Sequence, residues 1–434
     1  MIGLALVGCK PKYIDQQPTP SGETGSTVVG DDDDDDDTVI VPEVKFDSHL
    51  VGSPDNPAWA AVGDVLGGSS PEIVVSAIGK LTEPVVPAGR VVAYAIGGSL
   101  DSWTETEIVG VASGIEYPGQ PLLHDVDGDG DTDVFLPSGG RLCNAANTPC
   151  GGLQWFENTG SAWLEHVLLT GSAYYYTATA LGDMDGDGIE DLVAAAEDFT
   201  TDTSQLHLFR GLGGGSFDPV AFVLDANGGP VPILEDVDGD GDLDVLTGES
   251  FYTGTTFAWV ENQGAAFPVH VISNTYGPGY EIRFVDDLYG DGQKVAVATN
   301  HTNTARLESP DPWESVVLSF ALPADPTGPW TGTVLSLGIQ AVPDVALFPH
   351  PAPGSFATGD ADGDGDKDIV VAGDGDPNVY LLDQQPDGTF VTRILSGGLG
   401  QAGGTAMADL DEDGDLEMVM VAGVNNGVFV VSRE

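Results

Sequence analysis

The stretch that decides the reading is Asp125-Val126-Asp127-Gly128-Asp129-Gly130-Asp131-Thr132-Asp133, followed at once by the apolar run Val134-Phe135-Leu136. Carboxylates on alternate residues turn to one side of a tight bend, and the glycines between them permit the left-handed backbone that such a bend requires. The same frame returns at 183–191, 236–244, 360–368 and, with Glu last, 409–417; degraded copies stand at 64–72 and 287–295. Successive first residues are 61, 58, 53, 51, 73 and 49 apart. Self-similarity at that period marks an array of one supersecondary unit.

Each unit has the same strand grammar. In the third, 177–181 enters the acidic bend, 191–196 leaves it, 205–210 alternates, and 217–224 closes the unit before Gly228-Gly229-Pro230. Four short strands of β-branched and aromatic residues between Gly/Asp/Pro turns make one small antiparallel sheet. Such a sheet cannot bury both faces alone, whereas seven packed face to face around an axis can. The sequence therefore predicts an all-β chain, a seven-bladed β-propeller of four-stranded antiparallel blades over residues 45–434. The last unit supplies only 416–422 and 427–432 after its bend. Residues 46–51 resemble the fourth strands at 163–168 and 267–272, so the N-terminal strand is expected to complete the last blade. His49, His166 and His270 share one position in three units, and Trp155 and Trp259 share another, which reads as architecture and packing.

Composition agrees. Sixty Gly and 29 Pro imply many turns and few long helices, while a 41% hydrophobic fraction supports a large core. A net charge of −56 repels phosphate backbones and excludes nucleic acid as a partner. No apolar run approaches the ~18–20 residues that span a bilayer. Leu6-Val7-Gly8-Cys9 resembles the lipobox of bacterial lipoproteins, which implies a truncated signal over residues 1–9 and lipidation of Cys9. Residues 10–44, with unbroken Asp from 31 to 37, read as a solvated acidic Pro/Ser/Thr/Gly linker. The expectation is an exported, monomeric protein at the outer membrane or cell surface, touching the membrane only through its lipid anchor.

The acidic bends suit a hard cation, because calcium takes six to eight oxygens at about 2.3–2.6 Å. The expected ligands are Asp125, Asp127, Asp129, Asp131 and Asp133; Asp183, Asp185, Asp187, Ile189 and Asp191; Asp236, Asp238, Asp240, Asp242 and Asp244; Asp360, Asp362, Asp364, Asp366 and Asp368; and Asp409, Asp411, Asp413, Asp415 and Glu417. The varied seventh position fits a ligand acting through its carbonyl, and the ninth opens the next strand and clamps the ion to the sheet. An EF-hand ends its loop at position twelve between helices, magnesium demands a stricter octahedron, and zinc wants convergent Cys or His. The five loops hold 26 acidic residues, whose repulsion destabilises the fold unless neutralised. About five structural Ca2+ sites are expected. Leu66 and Gly68 interrupt the loop at Asp64, and Tyr289 and Val295 the loop at Asp287, so those two are expected to bind nothing.

Five such loops in register resemble the FG-GAP/VCBS repeat family, which includes the propeller of integrin α chains. The integrin-type Phe-Gly and Gly-Ala-Pro signatures are not reproduced, so the bacterial branch is the closer likeness. The resemblance implies that the acidic loops lie on one face of the disc, while the second-to-third-strand loops and inter-blade connections lie on the other.

Insertions at 78–89, 138–152, 300–314 and 338–353 fall on that other face, where binding usually resides. Cys143 and Cys150 enclose a short loop and are expected to form a disulfide in an exported protein. Trp59, Tyr117, Tyr174, Tyr175, Tyr176, Tyr276, Tyr280 and Phe348 fall in or beside the inter-blade connections, as stacking surfaces for a ligand or as packing. His301 and His350 are weak catalytic candidates, since no nucleophile elbow, zinc motif or phosphate loop accompanies them. The sequence favours a calcium-stabilised propeller for adhesion or recognition of a glycan or extracellular protein. The alternative is an extracellular carbohydrate-active enzyme of lyase or dehydratase type.

Overall fold

The computed structural model describes residues 44–80, 88–140, 149–198, 201, 203–225, 227–249, 256–302, 313–339, 352–373, 375–399 and 402–434. Cys9, the linker, Cys143, His350 and Phe348 lie outside them, and with them the lipidation and the disulfide expected of Cys143 and Cys150. Among the described residues the strands form seven four-stranded antiparallel sheets, the blades of a seven-bladed β-propeller. Blade 2 is typical, with strands Leu122–His124, Asp133–Ser138, Gly151–Asn158 and Trp163–Ser172 paired in sequence order.

Blade 7 departs from that order. Its strands Ala402–Ala408, Glu417–Ala422 and Gly427–Arg433 are followed by Phe46–Gly52 as the outer strand. The register runs from Phe46↔Arg433 to Gly52↔Val428, so the two ends of the domain close the ring as expected. Blade 3 differs in detail. The expected fourth strand at 217–224 is split: Ser216–Phe217 folds back on Gly211–Gly213, and only Phe222–Asp225 joins the blade.

Among the described residues the core consists of seven clusters, each between two successive blades. Period-2 alternation explains them, because a strand buried on both sides sends odd and even residues to opposite neighbours. Val134 and Leu136 pack against Val74, Val91 and Ala93 of blade 1, while Phe135 between them packs against Leu192 and Phe209 of blade 3. The cluster of Val51, Ile73, Tyr94, Val419 and Val430 joins blade 7 to blade 1. Each fully buried aliphatic side chain contributes roughly 1.5–3 kcal/mol.

The polar contacts between blades are not uniform. Asn158 Nδ2 donates to Val65 O (2.9 Å), Asn262 Nδ2 to Met184 O (2.7 Å), and Gln384 Nε2 to Leu288 O (2.8 Å). Each of these amides belongs to an even-numbered blade and reaches back to the loop of the odd-numbered blade before it. Trp155 and Trp259 reach forward, donating through Nε1 to Gly215 O and Pro326 O, 3.0 Å each. Blades 2 and 4 are thus tied on both sides.

Candidate functional site

Each acidic loop is held by its own first and ninth residues. In blade 2 the Asp125 carboxylate accepts N–H bonds from Gly128 (2.9 Å), Asp129 (3.0 Å) and Gly130 (3.0 Å). Asp133 is wholly buried at the start of the second strand and accepts from Val126 (2.9 Å) and Asn158 (2.7 Å). Gly128 and Gly130 sit at φ +83° and +97°, where a Cβ is strained. The pattern recurs. Asp191 accepts from Met184 and Gly211, Asp244 from Val237 and Asn262, Asp368 from Ala361 and Gln384, and Glu417 from Leu410.

The loop carboxylates therefore converge. One oxygen each from Asp125, Asp127 and Asp133 lies within 4.8 Å of the others, as do those of Asp183, Asp185 and Asp191, of Asp236, Asp238 and Asp244, and of Asp360, Asp362 and Asp368. Two oxygens across an ion with bonds of about 2.4 Å stand about 4.8 Å apart, so these trios match one coordination sphere. The all-oxygen donor set suits calcium. Burial pushes Asp133 and Asp244 up to about 6 and Asp368 and Glu417 up to about 7, and like-charged neighbours in the loop add to it. A divalent cation among them relieves both costs.

The seventh-position residues Asp131, Asp242 and Asp366 donate their own N–H groups to the fifth-position carboxylates at 2.9–3.0 Å. In blade 7, Asp415 pairs with the Arg433 guanidinium, which also donates to Asp362 O of blade 6 at 2.8 Å. Blades 1 and 5 keep the bend and use it internally. Asp64 accepts from Gly67 and Gly68, Glu72 from Val65 and Leu66, and Asp287 from Gly292. Tyr289, at a ligand position of blade 5, bonds instead to Ser319 Oγ at 2.7 Å.

Three further acids approach these loops and were not among the expected ligands: Glu157, Glu261 and Asp383, on the third strands or just beyond them. Oxygens of Glu157, Asp127 and Asp129 lie within 4.8 Å of one another. The repeated Trp-x-Glu-Asn at 155–158 and 259–262 was the signal in the sequence. Each acid is held from the fourth strand: Glu157 by His166 (2.7 Å), Glu261 by His270 (2.6 Å), and Asp383 by Arg393 (2.5 Å). His166 stacks on Trp155 at 4.2 Å and His270 on Trp259 at 4.7 Å, which gives these two histidine–tryptophan pairs one shared purpose.

At the other end of the strands, Tyr175, Tyr176 and Tyr280 are buried, and Trp59, Tyr117, Tyr174 and Tyr276 are half-buried. Tyr174 packs edge-on against His207, whose burial lowers it to about 4 and keeps it neutral. Tyr276 packs edge-on against Phe320. His301 is 2% exposed, stacks on Tyr280 at 4.3 Å, and donates from Nδ1 to Pro353 O at 2.5 Å. That ring joins blade 5 to the entry of blade 6.

The loops that gather the carboxylates are constant in length. Eight residues separate the first and second strands in six blades, and seven do so in blade 5. The second-to-third-strand connections range from four residues in blade 7 to fifteen in blade 5.

A family profile described as FG-GAP-like repeat matches residues 125–194, 183–247 and 360–420. No curated protein sequence matches the chain. Among solved structures it is similar to a mutant of the α-L-arabinofuranosidase Arb93A from Fusarium graminearum bound to an iminosugar inhibitor, at 10% identity and a TM-score of 0.47, covering 88% of this chain and 96% of that one. It is also similar to the Dos1 propeller, at 11% identity and a TM-score of 0.41, covering 83% of this chain and 74% of that one. The acidic loops at Asp125, Asp183, Asp360 and Asp409 all fall inside the matched segments, and the chain is a seven-bladed β-propeller carrying FG-GAP-like repeats.

Proposed function

We propose that the chain is a calcium-stabilised recognition propeller that binds a glycan or protein outside the cell, held to the membrane by a lipid on Cys9. The observation that carries this reading is the division of the disc into two unlike faces. Carboxylate-lined loops of constant length stiffen one face, while connections of widely varied length occupy the other, the usual division between scaffold and binding surface. Among the described aromatic candidates the half-buried Trp59, Tyr117, Tyr174 and Tyr276 are the ones with ring surface to offer. The enzyme reading leans on His301 or His350, and His301 is committed to packing between blades 5 and 6.

Calcium contributes by mass action, each site adding about 2.7 kcal/mol when the free ion is at 100 times its Kd. Millimolar calcium raises the melting temperature and EDTA lowers it; indifference to both overturns the metal reading. A glycan array and a panel of extracellular proteins, probed with the wild type and with Trp59→Ala, Tyr117→Ala, Tyr174→Ala and Tyr276→Ala, tests recognition. Loss of a specific hit in those variants, with melting preserved, is the expected result; unchanged binding removes these rings from the site. Incorporation of tritiated palmitate that Cys9→Ala abolishes tests the anchor.

A further inference from the structure

One position beside the acidic loops changes sign from blade to blade. The registers Val134↔Phe156, Leu192↔Phe209, Val245↔Val260, Ile369↔Leu382 and Met418↔Val431 place Glu157, Arg210, Glu261, Asp383 and Ser432 at equivalent points, across from the ninth loop residue. In blades 2, 3, 4 and 6 the charged side chain that stands there lies beside the third- and fifth-position carboxylates of its own loop, whereas Ser432 of blade 7 meets His49 Nε2 through its hydroxyl at 3.1 Å. Glu157 brings an oxygen within 4.8 Å of those of Asp127 and Asp129. Arg210 reaches the matching pair in blade 3, with Nη2 2.7 Å from Asp185 Oδ2 and 3.0 Å from Asp187 Oδ2. Glu261 repels Asp238 and Asp240, and Asp383 repels Asp362 and Asp364.

We propose that this position sets the calcium affinity of each loop, with Glu157 and Glu261 tightening the sites of blades 2 and 4 and Arg210 weakening that of blade 3. The proposal rests on the reading of the loops as calcium sites. In blades 2 and 4 the added carboxylate supplies negative charge beside the loop, and in blade 2 a further oxygen in reach of it. In blade 6 Arg393 offsets the charge of Asp383, and in blade 7 Ser432 is neutral while the Arg433 guanidinium pairs with Asp415, so neither site has the uncompensated extra carboxylate of blades 2 and 4. In blade 3 a guanidinium already bridges two expected ligands and must move aside before an ion enters. Arg210 is 59% exposed, so it can swing into solvent and leave blade 3 fillable at higher calcium. A unit charge at roughly 5 Å in surroundings as wet as these changes the affinity for a divalent ion by about tenfold.

Calcium titration calorimetry on the full chain tests this, with circular dichroism confirming the fold of each variant. Arg210→Ala is expected to tighten one ion, the weakest, by about tenfold, and Arg210→Lys, which keeps the charge, to stay near the wild type. Glu157→Gln and Glu261→Gln are each expected to weaken one tightly held ion by about tenfold. Uptake by the wild type with unchanged isotherms for Arg210→Ala and Glu157→Gln overturns this assignment alone. No uptake by the wild type overturns it together with the calcium reading.

Discussion

Glu197 offers a quantitative test of the interface between blades 3 and 4. It lies on the second strand of blade 3, Asp191–Asp198, across from Tyr175 on one side and Ser204 on the other, and is 2% exposed. Burial alone pushes its carboxyl from 4.5 up to about 8. Because the folded-state value is raised, the folded domain holds a proton that the unfolded chain releases between those two pH values. The contribution of Glu197 to stability is fully present below about pH 4.5 and is lost as pH rises through 8. At about 1.4 kcal/mol per pH unit, the loss approaches roughly 5 kcal/mol, an upper figure for a group whose surroundings can relax. Glu197→Gln keeps the shape and removes the ionisation. Melting temperatures of variant and wild type, compared at fixed calcium from pH 5 to pH 9, are expected to be close at pH 5 and to separate steadily up to pH 8, with the variant higher by several degrees. Taking the difference cancels the other titrating groups. A gap that is the same at every pH, or a variant less stable at pH 8, refutes the argument.

Two further outcomes follow from the ring. Removing residues 45–52 strips blade 7 of its outer strand and uncovers Val428 and Val430, so the melting temperature should fall by at least 10 °C by differential scanning calorimetry; an unchanged value contradicts closure by this strand. Asn262→Ala removes the donor to the buried carbonyl of Met184 (2.7 Å) and the half-buried one of Leu243 (3.1 Å), and is expected to cost about 2–4 kcal/mol in urea unfolding, while Gln263→Ala on the exposed turn costs little.

Much of the fold was legible because its signals are local. An acidic bend and the strands on either side of it occupy some twenty consecutive residues, and their recurrence showed both the number of blades and where each begins. Ring closure was legible for a related reason: residues 46–51 carry the alternation of a fourth strand that the last repeat lacks. The split fourth strand of blade 3 was not, since the turn of Gly213, Gly214 and Gly215 draws Phe217 back onto Gly211, a pairing that continuous alternation from 217 to 224 conceals. Tyr175, Tyr176 and Tyr280 read as ligand platforms or as packing, with packing slightly favoured, because a sequence does not say on which side of a strand the neighbouring blade stands.

Order along the chain thus determined the architecture and the principal loop oxygens, since both depend on residues a few positions apart. Tertiary structure decided which distant side chains lean over each loop. Glu157, Arg210 and Glu261 reach their carboxylates from the third strand or its end, 21 to 30 residues away in the chain, through strand register and the curvature of the sheet. It likewise decided that His301 is a joint between blades, because burial and a carbonyl supplied by Pro353 arise only when the sheets are packed.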